Sequence, residues 1–358
     1  MRDALAERLL AAVMNWTPED VARERPVLQA LAALKYDEYQ QFSPGMRFVE
    51  SLARWLGQFS EQAEREAAYR FVLDRLVFLS HAEMAHFAAI AYPDVIRPVL
   101  IEQAAKDAGI APFRVCQVLG TEQFGTLQGA SLFFGLSDGA RVDLFRRSNK
   151  ALSHEQIFTS YELSDEKIEE VRKSLEKRGY ATGAPALVLL DDFSASGTSC
   201  LTTEGDQAKG KVYKFVERIA TSDKWKTVVA FPKTRIIVVL YVATEQALES
   251  MRAGAALMKA KHGVDTTILC AQMLNSSMSI KPTDTGPFVE IVNKYYDPTA
   301  KENHPEWGGD VPFGYADCGL PVVLHHNCPN NSVFILWAED STTIRPLFPR
   351  ISRHRRES

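Results

Sequence analysis

The sequence predicts an α/β fold: a mostly parallel sheet with helices on both faces, preceded by an all-helical N-terminal domain. Three observations lead there. Residues 1–112 carry apolar residues at helical spacing. From about residue 115, short and continuously apolar runs alternate with amphipathic stretches. That is the pattern of strands buried on both faces and joined by crossover helices. Finally, 358 residues exceed one average domain, and 46% hydrophobic with 24% charged content is enough for a core in each half. The expected division is a helical domain or cap at 1–112 and an α/β domain at 113–358, with a C-terminal hood or extension from about 286.

In the first part, Leu5, Leu9, Val13 and Trp16 form one apolar stripe. Thr17, Pro18 and Asp20 then start a helix, with a hydroxyl cap, a proline in the first turn and an acid near the positive end of the dipole. The stretches SLARWLGQF and EAAYRFVLDRLVFLSHAEMAHFAAIAY continue the helical pattern, which Pro93 and Pro98 break. In the second part the expected strands are 131–139, 185–192, 235–244 and 264–272. Helices at 165–180, 210–220 and 245–263 lie between them. The segment 286–358 is richer in Pro, Gly and aromatics, and ends in the apolar run NSVFILWAE.

The net charge of −4 and pI near 6.1 exclude a protein built mainly to coat nucleic acid. The one basic cluster, RISRHRRES with Arg350, Arg353, Arg355 and Arg356, reads as a solvated tail. Cys116, Cys200, Cys270, Cys318 and Cys328 are odd in number and scattered, which does not make a disulfide framework. The N-terminus carries acids and no long apolar run, unlike a signal peptide, and no stretch approaches bilayer length. The expectation is a cytoplasmic protein with no membrane attachment.

The chemistry concentrates in ALVLLDDFSASGTSCL, residues 186–201. In an open α/β sheet, ligands sit at the carboxyl ends of strands. Here an apolar strand ends at Asp191 and Asp192, and small residues follow. A turn of small residues lets backbone amides converge on an anion. Ser194, Ser196, Thr198 and Ser199 add hydroxyl donors. Adjacent carboxylates repel phosphate but suit sugar hydroxyls, or a magnesium ion bridging to them. Carboxylates followed by a phosphate cradle describe one ligand, a ribose bearing a 5′-phosphate. A phosphate-binding loop of the Walker type is excluded because no lysine follows Gly197. A phosphatase Asp-x-Asp is excluded by Phe193.

This stretch resembles the phosphoribosyl-diphosphate signature of type I phosphoribosyltransferases: an apolar strand, two acids, small residues, then Ser/Thr-Gly-Thr. The resemblance puts Asp191 and Asp192 on the ribose hydroxyls and assigns the 5′-phosphate to the loop Ala195, Ser196, Gly197, Thr198 and Ser199. It also implies a pyrophosphate loop after an earlier strand. Ser137, Asp138, Gly139, Ala140 and Arg141 occupy that place, with Arg141 facing the diphosphate. Asp138 departs from the family preference for basic or small residues; an ordinary turn, or help in holding magnesium, are its other readings. A mobile loop is implied at 146–156, where Arg146, Arg147, Lys150 and His154 could close over the leaving pyrophosphate. A second departure is LTTEGDQAKGK, where Gly205 and Gly210 predict a short or broken helix after the phosphate loop.

Zinc is not expected. His81 and His86 lie about 140° apart around a helix. Cys318, His325, His326 and Cys328 lack a Cys-x-x-Cys knuckle, and HHNCPNNSVFILW reads as a turn followed by a buried strand. Tyr295, Tyr296, Trp307, Phe313 and Trp337 are aromatics able to stack on a base, though each is more often core.

The implied function is an enzyme that binds phosphoribosyl diphosphate or a nucleotide and acts at ribose C1, with Mg2+. Asp191, Asp192, Arg146 and Arg147 would be its catalytic residues. The whole chain looks like phosphoribosyltransferase-like proteins of bacterial conflict systems, some of them retron effectors. That likeness implies a role in antiphage defence, with a protein or RNA/DNA partner docking through the helical domain. The alternative is a non-catalytic nucleotide-sensing or partner-binding module on the same fold. The sequence leaves homo-oligomerisation, the acceptor base and the trigger open.

Overall fold

The computed structural model describes residues 3–298, 311–338 and 344–351. The chain forms two compact units, Met1–Glu83 with Ser277–Ser358, and Met84–Ser276. This differs from the division at 112/113. The reason is pairing and packing at the chain's end: the C-terminal segment completes the core of the N-terminal helices, and the α/β unit closes without it.

The first unit begins with helices α1 (Asp3–Val13), α2 (Pro18–Leu34), α3 (Phe48–Leu56) and α4 (Gln62–Asp74), and the short strand β1 (Val77–Leu79). Thr17 caps α2 as its chemistry predicts. Its side chain accepts from the Asp20 amide while Asp20 accepts from the Thr17 amide, with Pro18 in the first turn. In α1 the buried line is Ala6, Leu10 and Met14, one residue round from the expected stripe. Leu5 is 55% exposed, and Leu9, Val13 and Trp16 pack only partly. The terminal segment supplies a parallel partner for β1, Val322–Leu324. It also accepts hydrogen bonds from α3: Trp55 Nε1 donates to Ile335 O at 2.9 Å and Ser51 Oγ to Leu347 O at 2.7 Å. The rings of Tyr36, Tyr39, Phe42, Phe48 and Phe78 gather around Phe348. The run expected as a buried strand is instead a buried 3₁₀ turn, Phe334–Leu336, because the Trp337 indole donates back to Ser332 O at 2.7 Å and curls the segment.

In the second unit, α5 (His81–Ile90), a π-helical turn (Ala91–Ile96) and α6 (Arg97–Ala108) run on as one helix. Pro93 and Pro98 therefore do not break it. The widened turn accommodates Pro93, and Pro98 falls in the first turn of α6, where its missing N–H costs little. The span His81–Ala108 is long and apolar enough to cross a bilayer, which the sequence reading did not anticipate. Its middle, 91–96, lies against two sheet strands, the position of a sheet-covering helix.

Then come α7 (Val115–Leu119), α8 (Glu122–Ala130), β2 (Leu132–Gly135), α9 (Val142–Ser148), β3 (Ile157–Phe158), α10 (Asp165–Lys177), β4 (Ala186–Ser194), the hairpin β5–β6 (Thr202–Glu204, Gln207–Lys209), α11 (Lys211–Thr221), β7 (Arg235–Thr244), α12 (Glu245–His262) and β8 (Thr266–Leu274). The sheet order is β3-β2-β4-β7-β8, all parallel. Alternation along the strands sends Leu132, Phe134, Leu187, Leu189, Val238 and Leu240 into one core with α10, α11 and α12. The opposite face presents Phe133, whose ring meets Tyr92 of the π turn and Phe145 of α9. Helices thus cover both faces, as parallel strands require.

Candidate functional site

The strand order reverses direction between β2 and β4, the topological switch point where an open α/β sheet binds its ligand. Gly135 is level with Leu190 across that pair. The segments leaving the two strands are therefore brought together: Ser137–Arg141 from β2, and Asp191, Asp192 and the loop 194–199 from β4.

The contacts are direct. Ser137 Oγ donates to Asp191 Oδ1, which also accepts from the Asp192 amide at 3.2 Å. Asp192 is 8% exposed and Asp191 7%. A Cβ on Gly139 would stand 2.5 Å from Asp192 Oδ2, so the turn can approach this carboxyl only as glycine. Burial, and then the charge of Asp191, raise the Asp192 carboxyl from its ordinary 3.8 to about 7; Arg141 opposes them. Arg141 holds a left-handed conformation, φ 47°, between the 3₁₀ turn Asp138–Ala140 and α9. Two adjacent buried acids are costly to a free protein and useful to one that binds a cation or a set of hydroxyls.

The loop after β4 is held from below. Thr244, the cap of α12, donates its hydroxyl to Ala195 O and accepts from the Ala247 amide at 3.0 Å. Gly197, φ +79°, lies against the first turn of α12, where a Cβ would stand 3.1 Å from Ala247 O. Ser196 is half-buried, and Thr198 and Ser199 are exposed. In the described hydrogen bonds the amides of Ala195, Ser196, Gly197 and Ser199 donate to no protein acceptor. Converging uncommitted amides form an anion cradle.

The predicted break after this loop is the β5–β6 hairpin, which turns at Gly205 with φ +56°. Its consequence for the helix is unexpected. Cys200 and Leu201 donate to Gly197 O, forming one helical turn. Lys211 then donates to Ser199 O at 3.1 Å and Val212 to Cys200 O at 3.0 Å. These are the bonds that residues 203 and 204 would make in an unbroken helix. The eight residues 203–210 are looped out, while the hydrogen-bond ladder runs from the turn into α11. Gly210 makes the return possible, with φ +109° and a Cβ position 2.5 Å from Cys200 O. The positive end of α11 is thus aligned on the cradle.

Residues 52–350 match the family model described as PRTase-CE. The chain belongs to this phosphoribosyltransferase-like family. Searches of curated proteins and of solved structures return no match.

Not every residue that the sequence assigns to this candidate site meets the two acids. Ser194 ends β4 and is buried, Ala140 is fully buried behind the turn, and Asp138 is exposed. The interval 146–156, the place of the expected mobile loop, comprises the end of α9, a turn at 150–151 and a 3₁₀ turn, His154–Gln156. Arg146 donates to Ile157 O at 2.8 Å. Ile157 is level with Phe133, three residues short of the level of Asp191, or roughly 10 Å along the sheet. Arg147 is exposed, 4.0 Å from Asp143. Arg146 and His154 line a separate cleft of 710 Å³ beside β3, and Lys150 is exposed. Tyr295, Tyr296, Phe313 and Trp337 pack in the first unit's core; Trp307, Arg353, Arg355 and Arg356 lie outside the described residues. No cluster of three metal-ligating side chains occurs among the described residues.

Sequence reasoning missed Tyr241. In RIIVVLYVAT it reads as one more apolar position. The β4–β7 register sets it beside Asp192 on the same face, because Asp191 pairs with Leu240 and Phe193 with Val242. It is fully buried and its hydroxyl has no partner in the structure. Burial, with Asp192 and Asp191 adding to it, pushes the phenol far up.

Proposed function

We propose that the switch-point site binds phosphoribosyl diphosphate, or a nucleotide, and acts at ribose C1. The observation that carries this reading is the meeting of a buried acid pair with an uncommitted amide loop at the mouth of β4. Asp191 and Asp192 would orient the ribose hydroxyls and favour the positive charge that develops on the sugar as its C1 bond to the leaving group lengthens. The amides of 195–199 and the aligned α11 dipole would hold the 5′-phosphate. The loop 137–141, with Arg141, would face the diphosphate. The residues fit a magnesium ion: a pair of adjacent carboxyls, one raised by burial and then by its neighbour's charge, gains from a cation. Magnesium would screen the departing diphosphate, held by Asp191 and Asp192 through ribose or water.

The test is calorimetry with phosphoribosyl diphosphate and magnesium on the wild type and on Asp191→Asn/Asp192→Asn. Binding in the micromolar range, roughly −8 kcal/mol, is expected for the wild type, with a large loss in the double variant. Equal binding by both proteins overturns the assignment.

Two observations favour a second reading, a nucleotide-sensing module without turnover. Arg146 is committed to a carbonyl well below the mouth, and Asp138 puts an acid in the diphosphate loop. Binding without release of pyrophosphate, over a panel of bases, would support it. In either case the likeness to conflict-system proteins points to an effector of bacterial antiphage defence. A retron-type RNA/DNA or protein partner is part of that proposal, as are a cytoplasmic location and self-association.

A further inference from the structure

The looped-out hairpin returns the chain to the phosphate loop at a lysine. Lys211 takes the position of residue 203 in the continued helix, four after Ser199, so the two share a face one turn apart. The Cα–Cβ bond of a helical residue tilts towards the N-terminus, here towards Ser199 and the cradle. A lysine's four-carbon stem spans about one helical turn of ~5 Å. Lys211 is half-buried and, among the described residues, forms no ion pair. Its charge is felt at the Cys200 thiol beneath the loop, where it opposes burial and Asp191.

We propose that Lys211 is a phosphate-binding residue of this site, its ammonium closing the amide loop 195–199 over the 5′-phosphate. Among the described residues, the segments leaving β2 and β4 bring an anion main-chain dipoles, hydroxyls and Arg141, against the carboxyls of Asp191 and Asp192. A lysine delivered by the hairpin's return supplies the missing charge at the phosphate end. A continuous helix would put Thr203 there instead.

The inference rests on the sugar-phosphate reading, and the experiment separates the two. Ribose 5-phosphate and phosphoribosyl diphosphate are titrated into wild type, Lys211→Met and Lys211→Arg at two ionic strengths. Lys211→Met is expected to bind both about tenfold more weakly, with a shallower salt dependence, while Lys211→Arg stays near wild type. Melting temperatures should differ little, because the ammonium forms no ion pair among the described residues and methionine keeps the apolar stem. Wild-type binding with Lys211→Met unchanged overturns the role of Lys211 alone. A wild type that binds neither ligand overturns the site reading, and this inference with it. Equal losses in Met and Arg variants would mark a packing role and also overturn it.

Discussion

Asp192→Asn should stabilise the free protein, and by more as pH rises. Asp192 ionises near 7 in the fold and near 3.8 where it is unperturbed. Between those values the folded state holds a proton that the unfolded chain has released. Stability therefore falls as pH rises from about 4, and levels off above about 7. At 1.36 kcal/mol per pKa unit, the full cost of the ionised group is ~4 kcal/mol above pH 7, shared with Asp191 across the pair. At pH 5 less than half of it is present. An asparagine of the same shape titrates in neither state. The stability gained by Asp192→Asn should thus grow by ~3 kcal/mol between pH 5 and pH 8. For a unit of this size that is roughly 6–12 °C in melting temperature. The assay is calorimetric or fluorescence melting of both proteins, without ligand, at half-unit pH steps. A melting difference that stays constant from pH 5 to pH 8 would refute the claim that burial and Asp191 hold the proton on Asp192. A difference of the opposite slope would mean that a partner stabilises the charged form.

Three further outcomes are expected. Tyr241→Phe should leave melting unchanged or raise it by about 1 kcal/mol equivalent, since it removes a buried hydroxyl with no partner; a loss of that size would reveal a hydrogen bond. Gly139→Ala should cost about 1–3 kcal/mol in chemical denaturation and impair ligand binding, because its Cβ must displace the Asp192 carboxyl; wild-type behaviour in both would show the turn to be free to move. Excision of residues 203–210 should give a folded protein that still binds phosphoribosyl diphosphate, with Lys211 following Thr202 in helical register; a chain that no longer folds would refute the continuity of the ladder into α11.

Much of the fold is legible locally. The runs LVLL and RIIVVLYV admit only buried strands, since a continuous apolar stretch with β-branched residues has no polar face to give to water. The cap at Thr17 is written in residue chemistry. The acid pair and small-residue loop mark the end of β4 as the place to look for a site, because a buried strand has no need of carboxyls at its end. Other features were illegible for physical reasons. The stripe in α1 was read one residue off because which of Ala6 and Leu5 is buried depends on what packs against the helix. The prolines at 93 and 98 signalled a break, but a π turn absorbed the first and the second falls in the first turn of α6. The basic run at 146–150 looked like a closing loop because charge reports solvation, while the Ile157 carbonyl that holds Arg146 belongs to a strand eleven residues on.

The sequence by itself determined the α/β class, the strands, and the pair of acids with small residues after them at the end of β4, because periodicity, caps and residue type act over a few residues. The tertiary structure alone decided that the last segment joins the first helices, that Gly139, Tyr241 and Ser137 surround the acids, and that α11 resumes a helix begun twelve residues earlier. These are matters of register and packing between distant segments. Their energies come from contacts that no local pattern encodes.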